Sequence, residues 1–232
     1  MKYYRTVFTL CLIAFIYVPC LQAQYDANML LKEVSATMQK ANDYSVKAHI
    51  RVDMPFIRIL PVDVKIFFKQ PDKFKVESES IAVVPRRGFE QIPRTLEDFR
   101  TFTSLIQGEE RIDSVLASIV TVIPLSDTSD LVLGKFWIDP ERHVVLKSQL
   151  TTRSSGTIVT EYTYGIQVAY GLPDRMVFSV DVGKFKLPKN LPEDNHQTPD
   201  EKEKETKDKK GKIYITLTDY QVNKGIPDAV FK

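Results

Sequence analysis

The residues that most often carry chemistry are few in this chain and widely spaced. Histidine occurs three times, at His49, His143 and His196. None of them sits at ligand spacing from another histidine or a cysteine, so a metal site is not expected. Ser154-Ser155 lies in a turn-like Arg-Ser-Ser-Gly stretch and lacks the Gly-x-Ser-x-Gly elbow of an activated serine. The 9 glycines form no phosphate-cradling loop. Glu109-Glu110 and Asp139/Glu141 are the places where two carboxylates come close, and in turns and loops such acids are ordinarily solvated. The lone tryptophan, Trp137, reads as a core or wall residue rather than a stacking platform. These side chains point to binding rather than catalysis, with no cofactor.

Composition narrows the classes further. The 232 residues are 43% hydrophobic and 27% charged, which suits a folded chain and excludes collagen-like, wholly disordered and polytopic membrane classes. The net charge of +2 lacks the basic excess of a dedicated nucleic-acid binder. Residues 1–23 read as an export signal: Lys2 and Arg5 begin it, a mostly apolar run from Val7 to Val18 follows, and Ala23 ends it. The run is shorter than the roughly 20 residues of a bilayer span. Cleavage after Ala23 removes both cysteines, Cys11 and Cys20, and so every disulfide. It also takes 2 of the 32 basic residues, leaving 30 against 30 acids. The alternative is a lipidated Cys20, which would tether the protein to a membrane.

The remaining residues, 24–232, read as one domain. Residues 28–41 repeat Leu30, Leu31, Val34, Met38 and Ala41 at helical spacing, with Lys32, Glu33, Gln39 and Lys40 on the other face. From Tyr44 the period becomes two: Tyr44, Val46, Ala48, Ile50 and Val52, then Val62, Val64, Ile66 and Phe68, mark two strands. Gln70-Pro71-Asp72-Lys73 turns into a third. Thr95, with Glu97 and Asp98 after it, predicts a second helix ending at Gly108. Strands follow at 118–123, 131–138, 144–152, 157–164 and 176–182, joined by tight turns such as Asp139 to His143. The segment 189–212 is predicted to be a disordered, solvated loop, because Asp200 to Lys212 holds five acids and six bases in thirteen residues. The final strand, starting at Ile213, is expected to pair across this excursion with 175–182. The class is mainly β, with nine or ten antiparallel strands and one or two helices.

Several strands also carry bulky apolar residues on their second face: Phe67, Leu133, Trp137, Val145, Val159 and Val177. A sheet wetted on one side does not need them. A curved sheet wrapping a helix and leaving an apolar hollow accommodates them, as does a filled core.

Ordered phrases then bring a family into view. They are Phe68-Lys69-Gln70-Pro71-Asp72-Lys73-Phe74-Lys75-Val76, Val122-Ile123-Pro124-Leu125, Gly134-Lys135-Phe136-Trp137-Ile138-Asp139 and Val144-Val145-Leu146-Lys147-Ser148. Gly156, Tyr162/Tyr164, Gly171-Leu172-Pro173-Asp174 and Leu217 to Asn223 complete the set. Over most of residues 28–223 the chain resembles the periplasmic outer-membrane lipoprotein carriers, the LolA-like family. It departs from them at 85–110, where their aromatic strand is missing, and in the charged 189–212 insertion.

The resemblance implies an unclosed antiparallel β-barrel under one or two lid helices. It also implies a periplasmic, monomeric carrier that shields the acyl chains of lipoproteins or lipids. Cargo would come from an inner-membrane transporter and go to an outer-membrane acceptor. The alternative is an envelope module of the same fold that senses lipid or binds protein without transport. Cavity candidates are Leu31, Val34, Met38, Ile50, Val64, Ile66, Phe68, Trp137, Leu146, Met176 and Phe178. The family holds its lid with an arginine, for which Arg51 and Arg58 are candidates. Burying one long chain gains on the order of 10 kcal/mol at roughly 0.8 kcal/mol per methylene. Several chains need a space near or above about 1,000 Å³.

Overall fold

The computed structural model describes residues 27–55, 59–78, 101–181 and 210–232. Calls on residues 1–26, 56–58, 79–100 and 182–209 lie outside them; these include the export signal, Arg58, the start of the second helix and most of the charged loop.

The helical period at the start of the described chain forms helix α1, residues 27–39. The alternating segments form ten strands: β1 (Asp43–Asp53), β2 (Val62–Lys69), β3 (Lys73–Ser78), β4 (Phe102–Ile112), β5 (Val115–Pro124), β6 (Leu131–Asp139), β7 (Val144–Thr152), β8 (Gly156–Thr163), β9 (Arg175–Asp181) and β10 (Lys210–Val222). They make a single antiparallel sheet in the order β3-β2-β1-β10-β9-β8-β7-β6-β5-β4. Among the described residues β3 and β4 do not pair, so the sheet stays open. Strand β10 pairs with β9, Ile213 facing Phe178 and Ile215 facing Met176. On its other side it pairs with β1, Ala48 facing Leu217.

Two readings are corrected here. Residues 102–108 are part of strand β4 rather than of a helix. Phe102 and Ser104 are buried on alternate positions, a two-residue period that the acids ahead of them disguised. Gly108 is no helix stop; it adopts φ 143 at a bulge between Ile106 and Gly108. At the other end of the charged segment, Lys210 to Lys212 belong to β10 and face Asp181, Val180 and Ser179. Backbone pairing there needs no apolar side chain.

The inward face carries two packed groups. Ala27, Leu30, Leu31 and Val34 of α1 pack on Phe102, Val120, Val122, Phe136, Ile138, Val145 and Leu150. A second group joins Val46, Ala48, Ile50, Val64, Ile66, Met176, Phe178, Val180, Ile213, Ile215 and Leu217 across β1, β2, β9 and β10. In a third group Trp137, Val144, Leu146 and Ala117 pack with Tyr164 and with Val168 of the short 3₁₀ turn Ile166–Tyr170. Lysines of β2 and the edge strand β3 hold the C-terminal residues: Lys69 Nζ donates to the Ile226 carbonyl at 2.9 Å and Lys75 Nζ to that of Val230 at 2.6 Å. Such cover and charge are common protections of a sheet edge.

Candidate functional site

Helix α1 is fastened at both ends and along its side. Near its start the Ser104 hydroxyl donates to Asn28 Oδ1 at 2.7 Å. At its end the last carbonyls, which no later helical amide can satisfy, accept side-chain amides from the residues just past β2 and β10. Gln70 Nε2 donates to the Gln39 and Ala41 carbonyls at 2.9 and 3.1 Å. Asn223 Nδ2 donates to the Lys40 carbonyl at 2.9 Å, while Asn223 Oδ1 accepts from the Asn42 amide at 2.7 Å. Midway, Glu33 meets His143 of the β6–β7 turn.

Asp139 builds that turn. Its Oδ1 accepts the amides of Glu141 and Arg142 at 2.9 and 3.1 Å, and its Oδ2 pairs with Arg142 Nε. Burial opposes the Asp139 charge, but the Arg142 side chain and the two amides outweigh it and hold the carboxyl below its usual range. His143 closes the turn in a left-handed conformation, φ 52.

Between the C-terminal half of α1 and the inward face of the sheet lies a cavity of about 290 Å³. Val34, Ser35, Met38 and Gln39 form its helical side. Tyr44, Val46, Ile66, Phe68, Phe74, Val145, Tyr162, Met176, Leu217 and Tyr220 form the strand side, and His143, Gln70, Asp72, Leu172 and Pro173 border it. Phe74, Phe68 and Tyr44 are direct cross-strand neighbours. The Tyr44 ring stacks on Phe68 at 5.2 Å and meets Tyr220 edge-on at 6.1 Å, arrangements that aromatic quadrupoles favour.

The tyrosine hydroxyls are bonded within the walls. Tyr220 donates to the Pro173 carbonyl at 2.7 Å, Tyr164 donates to that of Val145 at 2.9 Å, and Tyr162 shares a bond with Ser148 at 3.1 Å. The lining therefore offers mostly carbon. Burial pushes the Tyr162 phenol up to about 12. Burial also raises Tyr164, with Tyr162 adding to it, and raises Tyr220, with Tyr44 and Asp174 adding.

Of the residues singled out in the sequence, Val34, Met38, Ile66, Phe68 and Met176 line the cavity. Leu31 is buried under α1, and Ile50, Val64 and Phe178 lie in the second packed group. Trp137 and Leu146 are on the outer face. A bulge places them and Val145: Trp137 pairs with Lys147 but Ile138 with Val145, so Leu146 is the extra residue. The bulge turns Leu146 out and Val145 in. Trp137 Nε1 donates to Glu110 at 2.6 Å, and Lys147 covers its ring at 4.5 Å.

The aromatic liners Tyr44, Phe74, Tyr162, Tyr164 and Tyr220 were not among those candidates. Tyr220 escapes strict alternation because β10 carries an extra residue where β1 steps from Ser45 to Lys47, with Asp219 at φ 55. Tyr44 and Phe74 do continue the alternation of Val46 and Val76, the signal that could have found them. Among the described residues no three His, Cys, Asp or Glu side chains come together as metal ligands. No described helix is long and apolar enough to cross a membrane.

No protein-family model matches the chain, and no curated protein matches its sequence. Solved structures do match it in shape. A DUF1329 family protein from Desulfovibrio piger is 10% identical, with 90% of this chain and 97% of that chain covered at a TM-score of 0.56. A LolA superfamily protein from Nitrosomonas europaea is 11% identical, with 89% and 97% covered at 0.53. A putative outer-membrane lipoprotein-sorting protein domain from Vibrio parahaemolyticus is 11% identical, with 90% and 97% covered at 0.54. This chain has the LolA-like fold.

Within the LolA-like frame, Arg51 lies far from the lid's fastenings. Its guanidinium stacks over Tyr214, 4.3 Å from the ring centre, and Arg175 approaches the same ring at 5.8 Å. Tyr214 alternates with the inward Ile213 and Ile215, which puts this cluster on the outer face. The ties on the described part of the LolA-like lid are Glu33, the α1 carbonyls and Asn28.

Proposed function

We propose that this protein shields acyl chains of a lipid or lipoprotein in the cavity beneath α1 during transfer across the periplasm. The observation that carries the reading is the cavity itself: an aromatic and aliphatic hollow, roofed by a helix, in an open sheet, with the Tyr162, Tyr164 and Tyr220 hydroxyls bonded within its walls. The shared shape with a lipoprotein-sorting domain supports it. Residues 1–23 would export the chain and be cut after Ala23, leaving a soluble monomer. A lipidated Cys20 would instead leave it tethered. An inner-membrane donor and an outer-membrane acceptor complete the route. No reaction is proposed for the site.

Transport needs binding that is firm and reversible. At about 0.8 kcal/mol per methylene, even part of one chain is held well. Opening of α1 has to offset that gain at delivery, and a lid that shifts between two states does so.

The test is to purify the exported form from cells and extract it with organic solvent. Lipid in the extract, and uptake of an acylated peptide by the stripped protein, are the expected results. An empty extract together with no uptake sinks the carrier reading. One observation favours a second reading, an envelope sensor or protein-binding module without transport: packed side chains fill most of the interior. That reading predicts an empty extract and capture of a protein partner.

A further inference from the structure

The size and polarity of the cavity restrict its cargo; this step rests on the acyl-shielding reading above. The volume, about 290 Å³, lies at the lower end of the roughly 300–1,000 Å³ usual for small-ligand pockets. A cavity of this size has room for part of one chain rather than for several side by side. Its walls are not loose: Val34 and Ile66 are 1% exposed, Met176 5% and Leu217 6%. Admitting a second chain means parting these packed contacts, which interiors at crystal-like density resist.

The polar border is biased too. Among the described residues no lysine or arginine lines the cavity, whereas Asp72 does. Lys69 and Lys73, which flank that turn, reach Asp228 instead, at 2.7 and 2.6 Å. Glu33 stands 3.2 Å behind His143. Gln39, at the negative end of the α1 dipole, lines the same side. An anionic head would meet acids and a helix C-terminus there, while an uncharged head would find amides and a hydroxyl.

We infer that the site takes a single acyl chain, joined through an ester or amide to an uncharged polar head.

Calorimetry on the full mature protein, stripped of lipid, tests this with 1-monoacylglycerols of six to sixteen carbons, decanoate and 1,2-didecanoylglycerol. The monoacyl series should bind one to one, tighten about fourfold per added carbon, and level off before the longest member. Decanoate should bind at least about tenfold more weakly than 1-decanoylglycerol. The second chain of didecanoylglycerol should add nothing. A steady climb to sixteen carbons, a gain from the second chain, or decanoate matching the neutral ester overturns the inference and leaves the carrier reading standing. Failure of every lipid to bind removes both.

Discussion

His143 Nε2 lies 3.2 Å from Glu33 Oε2, so the β6–β7 turn grips the side of the helix that roofs the cavity. The two side chains are 35% and 42% exposed, and pairs that wet contribute only about 0.2–1 kcal/mol. His143→Ala and Glu33→Gln should each cost less than about 1 kcal/mol in urea melts. Both should speed release of a bound lipid by up to about fivefold, and the double variant should add little to either. Unchanged release in stopped-flow traces would mean that the turn does not hold the roof.

Ser35 is half-buried on the cavity side of α1. Ser35→Trp should fill the hollow with an indole at a stability cost below about 1 kcal/mol. Lipid uptake should fall at least about tenfold while the fold, followed by circular dichroism, stays intact. A variant that binds as before would move the site elsewhere.

Gly171 adopts φ 65, and a β-carbon added there would sit 3.0 Å from Met38 Cγ. Both the left-handed backbone and the helix that rests on it call for glycine. Gly171→Ala should destabilise the protein by about 1–2 kcal/mol, read as a lower urea midpoint. No shift would show that α1 is not seated on this residue.

Asn223 serves two strangers to its own strand, the Asn42 amide and the Lys40 carbonyl. Asn223→Ala should cost about 1–3 kcal/mol, since each group loses its partner. Hydrogen exchange should quicken first at the Asn42 amide. Equal protection in the variant would show that water replaces the side chain freely.

The alkaline limit follows from the tyrosines. Tyr162 rises from 10.0 to about 12 because burial penalises its phenolate, and Tyr164 and Tyr220 rise for the same reason. A pKa raised in the folded state contributes stability that is whole below pH 10 and fades as the pH climbs from 10 toward 12. Of the 10 tyrosines, 3 lie in residues 1–23, and of the 7 that remain after the proposed cut these three should ionise only as the protein unfolds, seen as a late cooperative step in phenolate absorbance. Smooth titration of every tyrosine near pH 10 would contradict their burial.

Strand alternation was the most readable layer of this chain. The runs at Tyr44–Val52, Val62–Phe68 and Met176–Val180 became β1, β2 and β9, and the last strand met 175–181 across the charged excursion. The helical stripe from Leu30 to Met38 became α1. Strand β4 is disguised because Leu105-Ile106 fits the apolar side of a helix and Gly108 imitates its stop, while bulges obey no local pattern. Single inserted residues send Leu146 outward and Tyr220 inward. The pairing of β1 with β10 was not legible either, since nothing local marks two strands so distant as neighbours.

That pairing has a temporal consequence. The meander β4 to β9 and the β1–β3 hairpins can each form from adjacent segments, but Asn42 and Asn223, 181 positions apart, meet only where the first strand joins the last. Contacts of such range form slowly, because the intervening chain must first be gathered. The seam therefore waits until β10 has been made. A chain made only as far as β9 has its hairpins but lacks the strand that joins them, so the two halves of the sheet stay separate until β10 forms.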